Sequence, residues 1–101
     1  MASYTTIEDW QDVESGYVAD VTIRRTTDDQ YPCGWDYSFH LGSTDGTTIL
    51  RYDNAHERSK GHERHTAEGV EVIEFPGLLP LYERFTREAE ELSSVSWDWP
   101  L

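Results

Sequence analysis

The feature that most limits what this chain can fold into is a run of strict alternation, YVADVTIR at residues 17–24. Tyr17, Ala19, Val21 and Ile23 fall on one side of an extended chain, and Val18, Asp20, Thr22 and Arg24 on the other. A period of two marks a half-buried strand, and no helix places those residues on one face. The pattern returns after the turn-forming TTDDQYP: Trp35, Tyr37, Phe39 and Leu41 point one way, and Asp36, Ser38 and His40 the other. STDG at 43–46 supplies a hairpin turn. Thr47 to Asp53, with Ile49, Leu50 and Tyr52, then reads as a third strand. GVEVIEF at 69–75, closed by Pro76-Gly77, reads as a fourth.

The period changes only near the end. Leu78, Leu81, Phe85 and Leu92, joined by Tyr82 and Ala89, form one stripe of a helix over about Leu78 to Leu92. Pro80 is tolerated in its first turn, where the missing N–H is not needed. The expected architecture is α+β, an antiparallel meander of about four strands with one C-terminal amphipathic helix packed on one face. At 101 residues the chain is a single domain, and four Trp, six Tyr and three Phe can fill one core. Residues 1–16 read as an N-terminal arm, either a short helix or an extended segment, anchored by Ile7 and Trp10. The Trp-rich tail, 93–101, either packs back on the sheet or serves a partner.

Charge narrows the setting. Twenty acids face eight bases, a net charge of −12, and Lys60 is the one lysine among those bases. Carboxylates hold hydration in brine, where screening removes the self-repulsion of so acidic a fold. A halophilic, archaeal host is the expectation. MASYTTIEDWQDVESG has neither the basic start nor the apolar run of a secretion signal, and no stretch approaches the roughly 20 apolar residues that span a bilayer. With Cys33 as the sole cysteine there is no internal disulfide. A cytoplasmic protein without a membrane role is expected.

One segment departs from that acidity. HERSKGHERH at 56–65 holds three of the four histidines and three of the eight bases. From Arg51 to His65 the net charge is +1, which leaves −13 on the rest of a chain whose total is −12. Without periodicity, the segment reads as an extended loop after the third strand. Four uses fit its residue types. His56, His62 and His65, with Asp53, Glu57 and Glu63, could hold a divalent ion, although the spacing matches no zinc motif. Arg51, Arg58, Lys60 and Arg64 could bond phosphate oxygens. His62, His65 and Glu63 could do acid–base work on RNA, with an Arg stabilising the phosphorane. The fourth use is a solvated turn. No P-loop, nucleophile elbow or dinucleotide fingerprint occurs.

RYDNAHERSKGHERH, followed by IEFPG and the amphipathic LYERFTREAEEL, resembles the TumE-type toxin family of prokaryotic toxin–antitoxin systems, in its haloarchaeal form. The resemblance covers about Tyr17 to Leu92 and rests on Arg51, Asp53, Asn54, His56, His62 and His65. It implies a toxin paired with a small helix-turn-helix antitoxin, with RNA as the target class. Whether the chain is an enzyme stays open. His62, His65 and Glu63 are the catalytic candidates. Arg51, Asp53, Asn54, His56, Arg58 and Arg64 are the candidates for holding phosphate or substrate. No cofactor or bound metal is expected. The competing readings are a non-enzymatic interaction domain, acting as a homodimer or through an antitoxin-like partner, and a divalent-metal-binding domain.

Overall fold

The computed structural model describes all 101 residues. Six strands make one antiparallel sheet: β1 (Tyr4–Glu14), β2 (Tyr17–Thr26), β3 (Trp35–Ser43), β4 (Thr48–Asp53), β5 (His62–Thr66) and β6 (Gly69–Ile73). Their spatial order is their sequence order, so the sheet is a pure meander. A one-turn helix, α1 (Glu57–Lys60), interrupts the path from β4 to β5, and α2 (Leu78–Ser93) follows β6. The α+β class and the C-terminal helix are as expected. The count of about four strands is too low by two.

Both missed strands have physical reasons. Residues 1–16 are no loose arm: Tyr4–Glu14 pairs with β2 along almost its whole length. Its alternation is broken between Thr6 and Glu8, where the register shifts and Ile7 bulges out, half exposed. The turn that joins it to β2 is Ser15-Gly16, both with positive φ (53° and 84°). That pair of left-handed residues gives the twist that two-residue hairpins require. β5 hides differently. Both faces of HERHT are polar, so no apolar stripe announces a strand in what was expected to be an extended loop.

The core lies between the sheet's inner face and α2. Ala19, Val21 and Ile23 of β2, Tyr37, Phe39 and Leu41 of β3, and Leu50 and Tyr52 of β4 are all buried. These are the inward residues that alternation requires. Helix α2 covers them with Leu81, Tyr82, Phe85 and Ala89, while Leu92, expected on the same stripe, stays half exposed. Phe85 meets Phe39 at 5.6 Å and Tyr52 at 6.2 Å between ring centroids. The tail packs back: Val95 and Trp97 are buried, and Trp99 stacks on Phe85 and touches Trp10 of β1. The helix thus roofs β3 and β4, and the tail extends that roof to β1.

At the β5 end the roof is closed by polar groups. Arg64 points inward, with its Nε donating to the Tyr52 hydroxyl at 3.1 Å and its Nη1 to Glu71 at 3.0 Å. Its Nη2 bonds Glu88 of α2, which also accepts the Tyr52 hydroxyl proton. Burial alone would raise the Glu88 carboxyl, but the bonds from Arg64 and Tyr52 prevail and hold it below its usual 4.5. A carboxyl lowered in the folded state adds stability above its unfolded value, and that stability is lost as pH falls through the folded value. Glu88→Gln is therefore expected to cost about 2 kcal/mol at neutral pH, the scale of a hydrogen bond to a charged group. In urea titrations the gap between wild type and variant should close below pH 4.5. A gap that stays constant down to strong acid would mean that the pair does not act through charge.

Candidate functional site

Strand pairing builds the site. β4 and β5 run antiparallel in a register that sets Arg51 opposite His65, Tyr52 opposite Arg64, and Asp53 opposite Glu63. Successive side chains take opposite faces. Tyr52 and Arg64 therefore turn inward, to the network just described, while Arg51, Asp53, Glu63 and His65 meet on the outer face. Gly61, at φ +72°, ends α1 and lets the chain reverse into β5.

The outer cluster is tightly interlocked. Arg51 Nε lies 2.8 Å from Asp53 Oδ2. The His65 Nε2 atom is 3.3 Å from that same carboxylate oxygen, 3.7 Å from Glu63 Oε1 and 3.4 Å from Arg51 Nη2. One ring nitrogen thus stands between a donor and two acceptors. When the ring is neutral with its proton on Nδ1, Nε2 can accept from Arg51. When the ring is protonated, Nε2–H can turn to Asp53 or Glu63. Either form of the ring finds a partner for Nε2 already in place.

Beside this cluster is a cleft of about 350 Å³, lined by Ser38, Arg51, Asp53, His56 and Glu63 among others. Its size lies at the small end of the range for ligand sites. His56, the residue that caps α1, is exposed there. At the cleft's edge Asp36 is paired with Arg24 of β2.

The histidines of the doubled His-Glu-Arg do not converge. His62 turns to the inner face and is 9% exposed, away from His65. Its Nδ1 is 2.7 Å from the Tyr37 hydroxyl, and its ring stacks on Phe75 at 4.4 Å. Burial holds His62 below its usual value, against the pull of Glu57. Asn54 is fully buried at the end of β4 and bonds Tyr37, Trp35 and Glu57. Arg64 is committed to Glu88, and Arg58 is exposed and 3.3 Å from Asp29. Sequence reasoning passed over Cys33 as a site residue, and named Glu57 only as a carboxylate available to a metal. Glu57 accepts the Cys33 backbone N–H at 2.9 Å, from the loop between β2 and β3. No local pattern announces a contact across 24 residues.

A family profile described as Toxin TumE matches residues 5–93. The chain belongs to the TumE toxin family. The match takes in every strand from Thr5 onward, both helices and the whole of the outer cluster. It ends at the last residue of α2, before the tail that completes the core. No curated protein and no solved structure matches the chain. No helix is long and apolar enough to cross a membrane.

The outer cluster is a poor cage for a metal. Asp53, Glu63 and His65 bring three ligand atoms within 4.8 Å of one another. The Arg51 guanidinium, however, stands against the same His65 nitrogen and the same Asp53 oxygen, where it would oppose a cation.

Proposed function

We propose that this TumE-family chain is the toxin of a type II toxin–antitoxin pair and acts on RNA at the cleft beside His65. The observation that carries the reading is the placement of His65 Nε2 between Arg51 and the carboxylates of Asp53 and Glu63. Arg51 and His56 would hold the phosphate, and Arg51 would stabilise charge as it builds on the phosphorane. Glu63, which lines the cleft, would take the 2′-hydroxyl proton while the 2′-oxygen attacks phosphorus. His65 would share that proton with Glu63, and a protonated His56 would give one to the departing 5′-oxygen. Asn54, His62 and Arg64 serve the geometry from the buried side, and Arg58 lies outside the central cluster. A small helix-turn-helix antitoxin is the partner that this reading calls for.

The test is induction of the chain in cells, following growth and RNA integrity together. Wild type should arrest growth and degrade RNA. His65→Ala, Glu63→Gln and Arg51→Ala should each lower RNA decay by about 10²-fold or more, the usual yield of one acid–base group. Co-expression of the product of the adjacent gene should restore growth. Arrest without RNA loss would remove RNA as the target and leave the toxin assignment. If wild type causes neither effect, the whole reading fails.

A further inference from the structure

On the inner face, three potential ligands from three separate elements converge. Cys33 comes from the β2–β3 loop, Glu57 from α1 and His62 from the start of β5. The thiol sulfur, a carboxylate oxygen and a ring nitrogen all lie within 4.8 Å of one another. Two of the side chains are held away from bulk water, that of Glu57 at 7% exposed and that of His62 at 11%, while Cys33 is half-buried. His62 Nε2 stands 3.6 Å from Glu57 Oε1, outside hydrogen-bond reach, so this nitrogen faces the group with its lone pair or proton uncommitted.

We infer that Cys33, Glu57 and His62 form a structural site for a divalent transition metal, zinc above all, separate from the cleft beside His65. The ligand types are those that zinc takes: thiolate, imidazole and carboxylate. Their charges match it, since one thiolate and one carboxylate neutralise a dication. The surroundings are those that tune metal ligands. Tyr37 bonds His62 Nδ1 at 2.7 Å, which leaves Nε2 as the ligating nitrogen. Asn54 donates to Glu57 Oε1 at 2.8 Å, and the Cys33 N–H donates to Oε2 at 2.9 Å. Stacking on Phe75 fixes the plane of the imidazole. Each carboxylate oxygen keeps a further lone pair for the metal. Water or a partner side chain would complete four-coordination.

The metal would tie α1 to β5 and to the β2–β3 loop, and so fix the end of β4 where Asp53 and His56 begin the cleft. Binding would release the thiol proton to solvent as the sulfur–metal bond forms. Burial, reinforced by Glu57, pushes the Cys33 thiol up to about 12, so affinity should climb with pH. The outer group of Asp53, Glu63 and His65 lacks a sulfur and carries Arg51, which separates the two sites in a cobalt experiment.

The test uses the full chain, purified without an affinity tag, stripped with chelator and titrated with Co²⁺. A thiolate-to-cobalt charge-transfer band should appear with four-coordinate visible bands, saturate at one equivalent and vanish on addition of Zn²⁺. Cys33→Ser should abolish the charge-transfer band, and His62→Gln should weaken cobalt binding at least tenfold. Glu63→Gln should leave the spectrum unchanged. Because Cys33→Ser could disturb folding, a second measurement uses wild type alone: Zn²⁺ should slow alkylation of Cys33 by iodoacetamide in the folded protein. No charge-transfer band in wild type, a band that survives Cys33→Ser, or alkylation indifferent to zinc would each overturn the inference. None of these readouts depends on toxicity or RNA cleavage, so the proposed function can fail without it.

Discussion

A variant carrying both Trp97→Ala and Trp99→Ala is expected to lose most of its folded population in dilute urea. Trp97 is 7% exposed, and its indole N–H donates to Ser93 at 3.1 Å. Trp99 stacks on Phe85 with centroids 5.6 Å apart, and its indole N–H reaches Asp12 of β1 at 3.1 Å. Truncating one buried Trp costs about 3–5 kcal/mol. The half-buried Trp99 falls below that figure, and because the rings touch, the two losses will not add simply. A combined loss of about 6 kcal/mol matches the whole stability of a domain at the lower end of the usual range, about 5–15 kcal/mol. Urea denaturation followed by far-ultraviolet circular dichroism gives the midpoints. A double variant with the wild-type midpoint would mean that the tail lies off the core in solution.

The second large effect concerns one atom pair. Asn54→Asp leaves shape almost unchanged, yet it should be as damaging as Asn54→Ala. The Asn54 Oδ1 accepts the Tyr37 N–H at 3.0 Å, while Nδ2 donates to the Trp35 carbonyl at 2.6 Å and to Glu57 at 2.8 Å. An aspartate can still accept, but it sets a carboxylate oxygen against two acceptors, one of them itself a carboxylate, in a fully buried place. Each unsatisfied buried group costs about 1–3 kcal/mol, and an uncompensated buried charge about 3–5 kcal/mol. Alanine removes the bonds without adding the charge. Chemical denaturation at pH 7 should rank wild type above both variants, with aspartate no better than alanine. An Asn54→Asp protein as stable as wild type would sink this account of the motif.

The strands and helix with an apolar side were legible because apolar residues kept time with the backbone. Tyr17–Ile23, Trp35–Leu41 and Leu81–Ala89 repeat at two or at three to four, and burial follows those repeats. β1 was not legible because the bulge at Ile7 puts Trp10 out of phase with the beginning of the strand. Ser15-Gly16 was the available signal, a two-residue turn directly ahead of a clear strand. β5 was hidden because it buries an imidazole and a guanidinium through partners 25 and 24 residues away, Tyr37 and Glu88. The candidate site was half legible. Charge and family motif singled out Arg51 to His65, but only the pairing register decides which side chains share a face. It places His65 with Arg51 and Asp53, and sends His62 to Tyr37 and Glu57.

The strand order has a consequence for synthesis. In a meander every strand meets a neighbour already made, so the sheet can assemble in order as the chain leaves the ribosome. Trp10 is the exception, since the indole that covers it belongs to Trp99, which is also bonded to Asp12 of the same strand across 87 residues. Until Trp99 emerges, the first strand has one side of its core open. A nascent chain is therefore a sheet without its lock, and the folded state waits for the segment beyond α2. For a member of a toxin family, that delay separates the making of the polypeptide from the moment it acquires its final shape.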